Sequence, residues 1–262
     1  MKGRVLIIAG SDSGGGAGIQ ADIKTVTALG GYAMTAVTAL TVQNTLGVFD
    51  VHPAPVAIIE AQARVVLEDL GADVIKTGML GSVEVVQAVA RIIDSAAVPA
   101  VIDPVMTAKG GERLLETSAE AAVRDLLVPR AALLTPNAPE AEALTGLPVR
   151  SEEDMRRAGQ ALLERGAKAV LMKGGHLPGD LVIDLLISPA GARRYQSRRV
   201  ETRNTHGTGC TLASACAAGL AQGLELEAAV GRAHAYTAEA IRQAPGFGHG
   251  HGPLNHAWTL PQ

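Results

Sequence analysis

Aromatic side chains are scarce in this chain, with two Phe, three Tyr and one Trp among 262 residues. So few flat rings cannot build a stacking platform for bases, and a formal net charge of −3 offers no field to draw in a phosphate backbone. A nucleic-acid partner is therefore not expected. No apolar run reaches the roughly 18 residues of a membrane span, so no membrane partner is expected either. Met1-Lys2-Gly3-Arg4 before Val5 to Ala9 has the charge order of a signal peptide. That apolar run is only about five residues long, short of a typical signal core. Cysteine is nearly absent too. Cys210 and Cys216 stand six apart in one helical segment, which is neither a metal pair nor a disulfide framework. A reducing, cytoplasmic setting is the expectation.

Hydrophobic residues make up 47% of the chain and charged residues 19%, the balance of a folded protein with a substantial core. Short apolar runs alternate with longer segments of helical period. Strands are expected at Val5 to Ala9, Ala36 to Val42, Val74 to Thr77, Val101 to Asp103, Ala132 to Thr135 and Ala169 to Lys173. Helices are expected at Gly18 to Leu29, Ala57 to Leu70, Val83 to Ala96, Ala119 to Leu127, Pro139 to Thr145, Glu152 to Arg165, Gly209 to Gly223 and Leu226 to Gln243. This repeated strand-then-helix order implies a parallel sheet covered on both faces, an α/β fold. Leu181 to Ile187 and Arg193 to Thr202 read as a hairpin. With no linker and no internal repeat, one domain is expected, ending in a loosely packed tail from Pro245 to Gln262.

The most telling stretch is Asn204-Thr205-His206-Gly207-Thr208-Gly209-Cys210-Thr211, where glycines and threonines crowd at the start of a helical pattern. Unpaired amides at a helix start, with the dipole behind them, hold an anion without a basic side chain. Cys210 falls in the first turn, where the dipole would favour a thiolate. The plainer reading is a tight strand-to-helix connection.

In open parallel sheets, ligands bind beyond the carboxyl ends of the strands, and polar clusters fall at those ends here. Gly10-Ser11-Asp12-Ser13-Gly14-Gly15-Gly16-Ala17-Gly18 lacks the Gly-Lys-Ser/Thr of a Walker loop and fits a dinucleotide fingerprint only loosely. Its small residues suit close approach to a flat ligand, with Asp22 one turn on. Gln43 can donate and accept along a heterocycle edge, or simply form a polar turn. Met79 is a pocket wall or core filler. Asp103, Asn137 and Glu140 follow strands, as hard oxygen ligands or anchors for hydrated Mg²⁺, or as turn formers and caps. Lys173 puts a cation where it can meet phosphate, while His176 reads as a loop residue.

These blocks resemble the hydroxymethylpyrimidine and hydroxymethylpyrimidine-phosphate kinases of thiamine biosynthesis. The carriers are Gly15 to Asp22, Val42-Gln43-Asn44-Thr45, Lys76-Thr77-Gly78-Met79-Leu80, Asp103-Pro104-Val105-Met106, Thr135-Pro136-Asn137, Met172 to His176 and Asn204 to Thr211. Gly14 departs from the usual Ser. The resemblance implies a ribokinase-like three-layer α/β/α sandwich with a mostly parallel central sheet, and a homodimer. It also implies ATP-dependent phosphorylation of 4-amino-5-hydroxymethyl-2-methylpyrimidine and then of its monophosphate. Gln43 would read the aminopyrimidine edge, within a pocket of Gly10, Ala17, Asp22, Met79 and Val105. Gly207, Thr208, Gly209 and Cys210 would face the phosphoryl group in transfer. Asp103, Asn137 and Glu140 would organise Mg²⁺ and the ATP phosphates with Lys173 beside them. The alternatives are a pyridoxal or pyridoxine kinase of the same fold and a non-catalytic pyrimidine sensor.

Overall fold

In a computed structural model, the description covers residues 1–108 and 110–260. The first strand, β1 (Arg4–Asp12), is buried on both sides: Leu6 and Ile8 enter one apolar cluster, Val5, Ile7 and Ala9 the other. A strand buried on both faces belongs at the centre of a sheet between two helical layers. That is its place. The helices α1 (Gly18–Ala28), α7 (Thr208–Ala221) and α8 (Leu226–Arg242) cover one face. The other carries α2 (Val56–Asp69), α3 (Val83–Ala96), α4 (Thr117–Ala122), α5 (Ala138–Thr145) and α6 (Glu152–Glu164).

The remaining strands are β2 (Tyr32–Asn44), β3 (Gly47–Pro53), β4 (Val74–Thr77), β5 (Ala100–Ile102), β6 (Leu133–Leu134), β7 (Val170–Met172), β8 (Leu181–Ser188) and β9 (Gly191–Arg198). They form one sheet in the order β3-β2-β1-β4-β5-β6-β7-β8-β9. The centre, β2 to β7, is parallel; β3 and β8 run antiparallel to it at the two sides, and β9 pairs antiparallel with β8 at the far edge. The expected three-layer α/β/α architecture is the one observed. After β1 the chain builds β2 and β3 on one side, then crosses to β4 on the other. The order reverses between β1 and β4, which opens a crevice at their carboxyl ends.

Four local features depart from the sequence expectations. The second strand is longer than Ala36 to Val42 and turns back at Thr45–Leu46 into β3, an unexpected strand with mixed exposure. The helix expected at Ala119 to Leu127 is regular only to Ala122, then widens into a π turn over Val123–Leu127. The strand around 133 is reduced to two residues. The tail is not loose: Leu254 and His256 are buried, and Pro253 bridges to His206. Leu254 packs apolar area, and His256 Nε2 lies 2.9 Å from Thr211 Oγ1 inside the fold. Pro261 and Gln262, the end of that expected tail, lie outside the described residues.

Candidate active site

The carboxyl ends of β1 and β4 and the start of α7 converge on the crevice. Asp12 closes β1 and organises the loop after it. Its Oδ1 accepts the Gly14 amide at 2.8 Å, and its Oδ2 accepts those of Gly16 at 3.0 Å and Ala17 at 2.8 Å. His206 Nε2 lies 2.9 Å from the same Oδ2. Burial alone would raise the Asp12 pKa, but His206 and these amides outweigh it and hold the carboxyl below its usual value. Two glycines let this loop pack against the helix start. Gly207 has φ +84°, and a β-carbon there would overlap the Gly16 carbonyl. Gly18 has φ +55°, and a β-carbon there would overlap the Gly10 carbonyl.

Gly207 is the left-handed N-cap of α7, followed by Thr208, Gly209 and Cys210. Thr208 Oγ1 donates to Thr205 O at 2.8 Å, and the Thr211 amide returns to Gly207 O. Among the described residues, the Gly209 and Cys210 amides have no hydrogen-bond acceptor. A β-carbon at Gly209 would stand 3.2 Å from Lys173 Nζ and 3.7 Å from Asp103 Oδ2. Two free amides, an ammonium and a carboxylate thus border one small space.

Lys173 Nζ donates to Asp103 Oδ1 at 2.8 Å and lies 3.6 Å from Glu140 Oε2. Thr135 Oγ1 donates to the same Asp103 oxygen. Asn137 and Glu140 form a capping box at the start of α5: Asn137 Oδ1 accepts the Glu140 amide, and Glu140 Oε2 accepts the Asn137 amide. The cap reading is therefore real, and it also holds the Glu140 carboxylate toward Lys173. Burial pushes the Glu140 carboxyl up to about 7, Lys173 opposing and Asp103 reinforcing the shift. Burial opposes the Lys173 charge, yet Asp103 and Glu140 outweigh it and raise its pKa.

The pocket residues divide. Gly10 packs on Met79, where a β-carbon would sit 3.1 Å from its Sδ; Ala17 follows the Asp12 loop as the N-cap of α1, and Val105 shares a small hollow with Asp103. Gln43 stands at the end of β2, its Oε1 accepting Thr41 Oγ1 at 3.1 Å and its Nε2 3.4 Å from His206 Nε2. Asp22 is different. It is fully buried, both carboxylate oxygens lie 2.9 Å from Lys76 Nζ, and Ser214 Oγ donates to one of them. It therefore stands behind the pocket wall and cannot line the pocket.

At Cys210, burial works against the thiolate that the helix start would favour. The thiol is pushed up to about 11 by burial, with Asp22 and Asp103 adding to the rise and Lys76 and the Gly18 amide only partly countering it. At neutral pH it is a thiol, because desolvation exceeds what a helix start supplies.

Lys76, Ser214, Asp12 and His206 were not assigned roles from the sequence. Lys76 carried a readable signal: a lysine inside a four-residue strand that is otherwise apolar or small must find an acid when buried. Asp12, just ahead of a glycine run, carried another. His206 had none, since its partners lie 194 and 163 positions away. Among the described residues, no group of three or more His, Cys, Asp or Glu side chains is gathered to hold a metal ion. No helix there is long and apolar enough to cross a membrane.

A free-amide helix start facing a lysine–carboxylate cluster can hold a phosphoryl group. The phosphomethylpyrimidine kinase family model matches residues 12–255. The chain belongs to that family. It is 48% identical to the hydroxymethylpyrimidine/phosphomethylpyrimidine kinase of Streptomyces coelicolor, over 98% of this chain and 95% of the relative. It is 50% identical to the bifunctional thiamine biosynthesis protein ThiED of Geobacter sulfurreducens, over 97% of this chain but only 52% of that relative, about half its length. The phosphomethylpyrimidine kinase of Clostridium difficile superposes with a TM-score of 0.82 at 41% identity, covering 92% of this chain and all of that one. The Bacillus subtilis pyridoxal kinase, in an ADP complex, gives a TM-score of 0.92 at 35% identity over the whole of both chains. Membership in this family makes the chain a phosphotransferase of the ribokinase-like fold.

Proposed function

We propose that the chain transfers the γ-phosphoryl group of ATP to 4-amino-5-hydroxymethyl-2-methylpyrimidine and then to its monophosphate. The observation that carries the site assignment is the pair of unbonded amides at Gly209 and Cys210, which border the same space as Lys173 and Asp103. Phosphoryl transfer asks for in-line positioning and for neutralisation of the equatorial oxygens, and helix-start amides with an ammonium supply both. Gln43 reads the aminopyrimidine edge, and Gly10, Ala17, Met79 and Val105 hold the ring. Thr208, Asn137 and Glu140 complete the ATP side. Cys210 faces the hydroxyl that attacks.

Mg²⁺ suits the donor set, in a limited sense. Asp103 and Glu140 are hard oxygen donors; burial, reinforced by Asp103, raises Glu140, and a cation would favour its charged form. Two carboxylates without a third match a hydrated ion shared with ATP phosphates, not a dedicated cage. When bound, the ion would neutralise phosphate charge, while Lys173 keeps the two carboxylates apart.

The exposed apolar residues Leu40, Val42, Leu46 and Phe49 on the β2–β3 hairpin support a homodimer through that edge. Two free cysteines, Cys210 and Cys216, support a reducing cytoplasm. Pyridoxal is the second substrate to test, since solved pyridoxal kinases share the fold at 35–36% identity. The deciding experiment incubates purified protein with Mg-ATP and the pyrimidine and reads products by mass spectrometry. Mono- and diphosphate together are expected; their absence, with pyridoxal phosphate formed in a parallel incubation with Mg-ATP and pyridoxal, would overturn the pyrimidine assignment.

A further inference from the structure

The C-terminal segment is stitched to both sides of the hollow beside Gln43. On one side the His251 amide donates to Thr45 O at 2.7 Å and the Gly250 amide to Thr45 Oγ1 at 3.3 Å. On the other, the His206 amide donates to Gly252 O at 3.1 Å, and Pro253 bridges to His206. His251 Nδ1 also lies 3.3 Å from Arg203 O. Thr45 ends the Gln43-Asn44-Thr45 block, and His206 immediately precedes the Gly207 helix start. The two stitches therefore tie the ring-reading end of β2 to the phosphate-facing turn.

The approach is close enough to fix residue size. A β-carbon at Gly250 would overlap the Thr45 carbonyl, and one at Gly252 would overlap the Asn204 side-chain oxygen. Gly16, on the loop organised by Asp12, has room for no more than hydrogen against His206. Gln43, Thr45, His206 and His251 together border one shallow hollow. Beyond it the segment is anchored by buried residues: His256 meets Thr211 in the first turn of α7, and Tyr236 OH donates to His256 O at 2.5 Å. The segment is fixed at both ends of its crossing.

We infer that the strap from Gly250 to Pro253 is a positioning element of the pyrimidine site, holding Gln43 relative to the α7 start through Thr45 and His206. This rests on the pyrimidine reading above. Its residues act through others and touch no phosphate, so a strap disturbed at its Thr45 stitch loosens pyrimidine binding and leaves ATP binding alone.

Steady-state kinetics of full-length variants test it, with the wild type measured first; no pyrimidine turnover by the wild type would defeat the substrate reading and not the strap. Gly250→Ala wedges a methyl against the Thr45 carbonyl, and a rise of about tenfold in the pyrimidine KM is expected, the loss of one or two hydrogen bonds, with the ATP KM within twofold. Thr45→Ala removes only the Oγ1 stitch and is expected to raise the pyrimidine KM about threefold. This second variant decides the matter if Gly250→Ala does not fold. A pyrimidine KM unchanged in the folded variants, or an ATP KM rising in parallel, overturns the inference.

Discussion

Two buried charge clusters lie on either side of Cys210, and they are built differently. Behind the pocket, Asp22 and Lys76 form a one-to-one pair with no exposed side-chain surface on either partner. Toward the cleft, one ammonium serves two carboxylates: Lys173 is 12% exposed, Asp103 1% and Glu140 7%. The sealed pair is neutral as a unit. Burial drives Asp22 upward against Lys76 and Ser214, whereas Lys76 rises because Asp22, Cys210 and Asp103 outweigh its own burial. We take the pair as charged, since Lys76 Nζ sits 2.9 Å from both Asp22 oxygens. The open trio has one more carboxyl than ammonium, with Glu140 pushed up to about 7 by burial, and it borders free amides. A balanced, sealed pair is a fixture of the fold, while an unbalanced one at a cleft is set to accept a ligand's counter-charges.

The contrast breaks first at Lys76. Lys76→Met leaves Asp22 buried and unpaired, and a loss of about 3–5 kcal/mol in unfolding free energy is expected. Adding Asp22→Asn to it should restore much of that loss, measured by denaturant unfolding. A Lys76→Met protein as stable as the wild type would show that Asp22 is already neutral. Lys173→Met inverts the outcome. Turnover should fall roughly 10²–10³-fold as a preorganised donor is lost, while the melting temperature moves far less than in Lys76→Met. If stability suffers more than turnover, the open trio is as structural as the sealed pair.

Cys210 sits between the clusters and sharpens the difference. Cys210→Ala should lower turnover about a hundredfold and leave ATP affinity nearly intact. The pH profile gives the reason. With the thiol pushed up to about 11, the thiolate is a trace species at pH 7. If it takes the hydroxyl proton, wild-type turnover should climb about tenfold per pH unit between pH 7 and 9, and the alanine variant should lose that slope. A flat wild-type profile would assign the proton elsewhere.

What the sequence carried depended on the range of the interaction. The central strands and most helix limits were legible because apolar periodicity and caps are local: Val74–Thr77 and Val83–Ala96 came out residue for residue. β3 was missed because its half-exposed residues leave no clean alternation on a sheet edge. Asp22 was misplaced because nothing near it announces Lys76, 54 positions on. The tail read as loose because its glycines suggest mobility, yet Gly250 is small so that it can meet the Thr45 backbone, and Gly252 so that it can meet the Asn204 side chain. Cys210 was placed on the right turn, but its protonation follows from burial, which no local motif reports.

The smallest effect falls on the ring-reading side, where neither cluster reaches. Gln43 Oε1 accepts from Thr41 Oγ1, while its Nε2 stands 3.4 Å from a His206 nitrogen that donates to Asp12, so its amide N–H groups are left for a ligand. Removing it with Gln43→Ala subtracts one or two neutral hydrogen bonds, each worth about 1 kcal/mol, so the pyrimidine KM should rise about tenfold. The ATP KM should stay put, because the trio around Lys173 is untouched. A KM for ATP that rose alone would mean the residue serves the phosphate side. Gln43→Glu separates orientation from chemistry: it keeps the acceptors but loses both amide donors. If it matches alanine, the donor edge does the reading; if it matches wild type, the acceptor does.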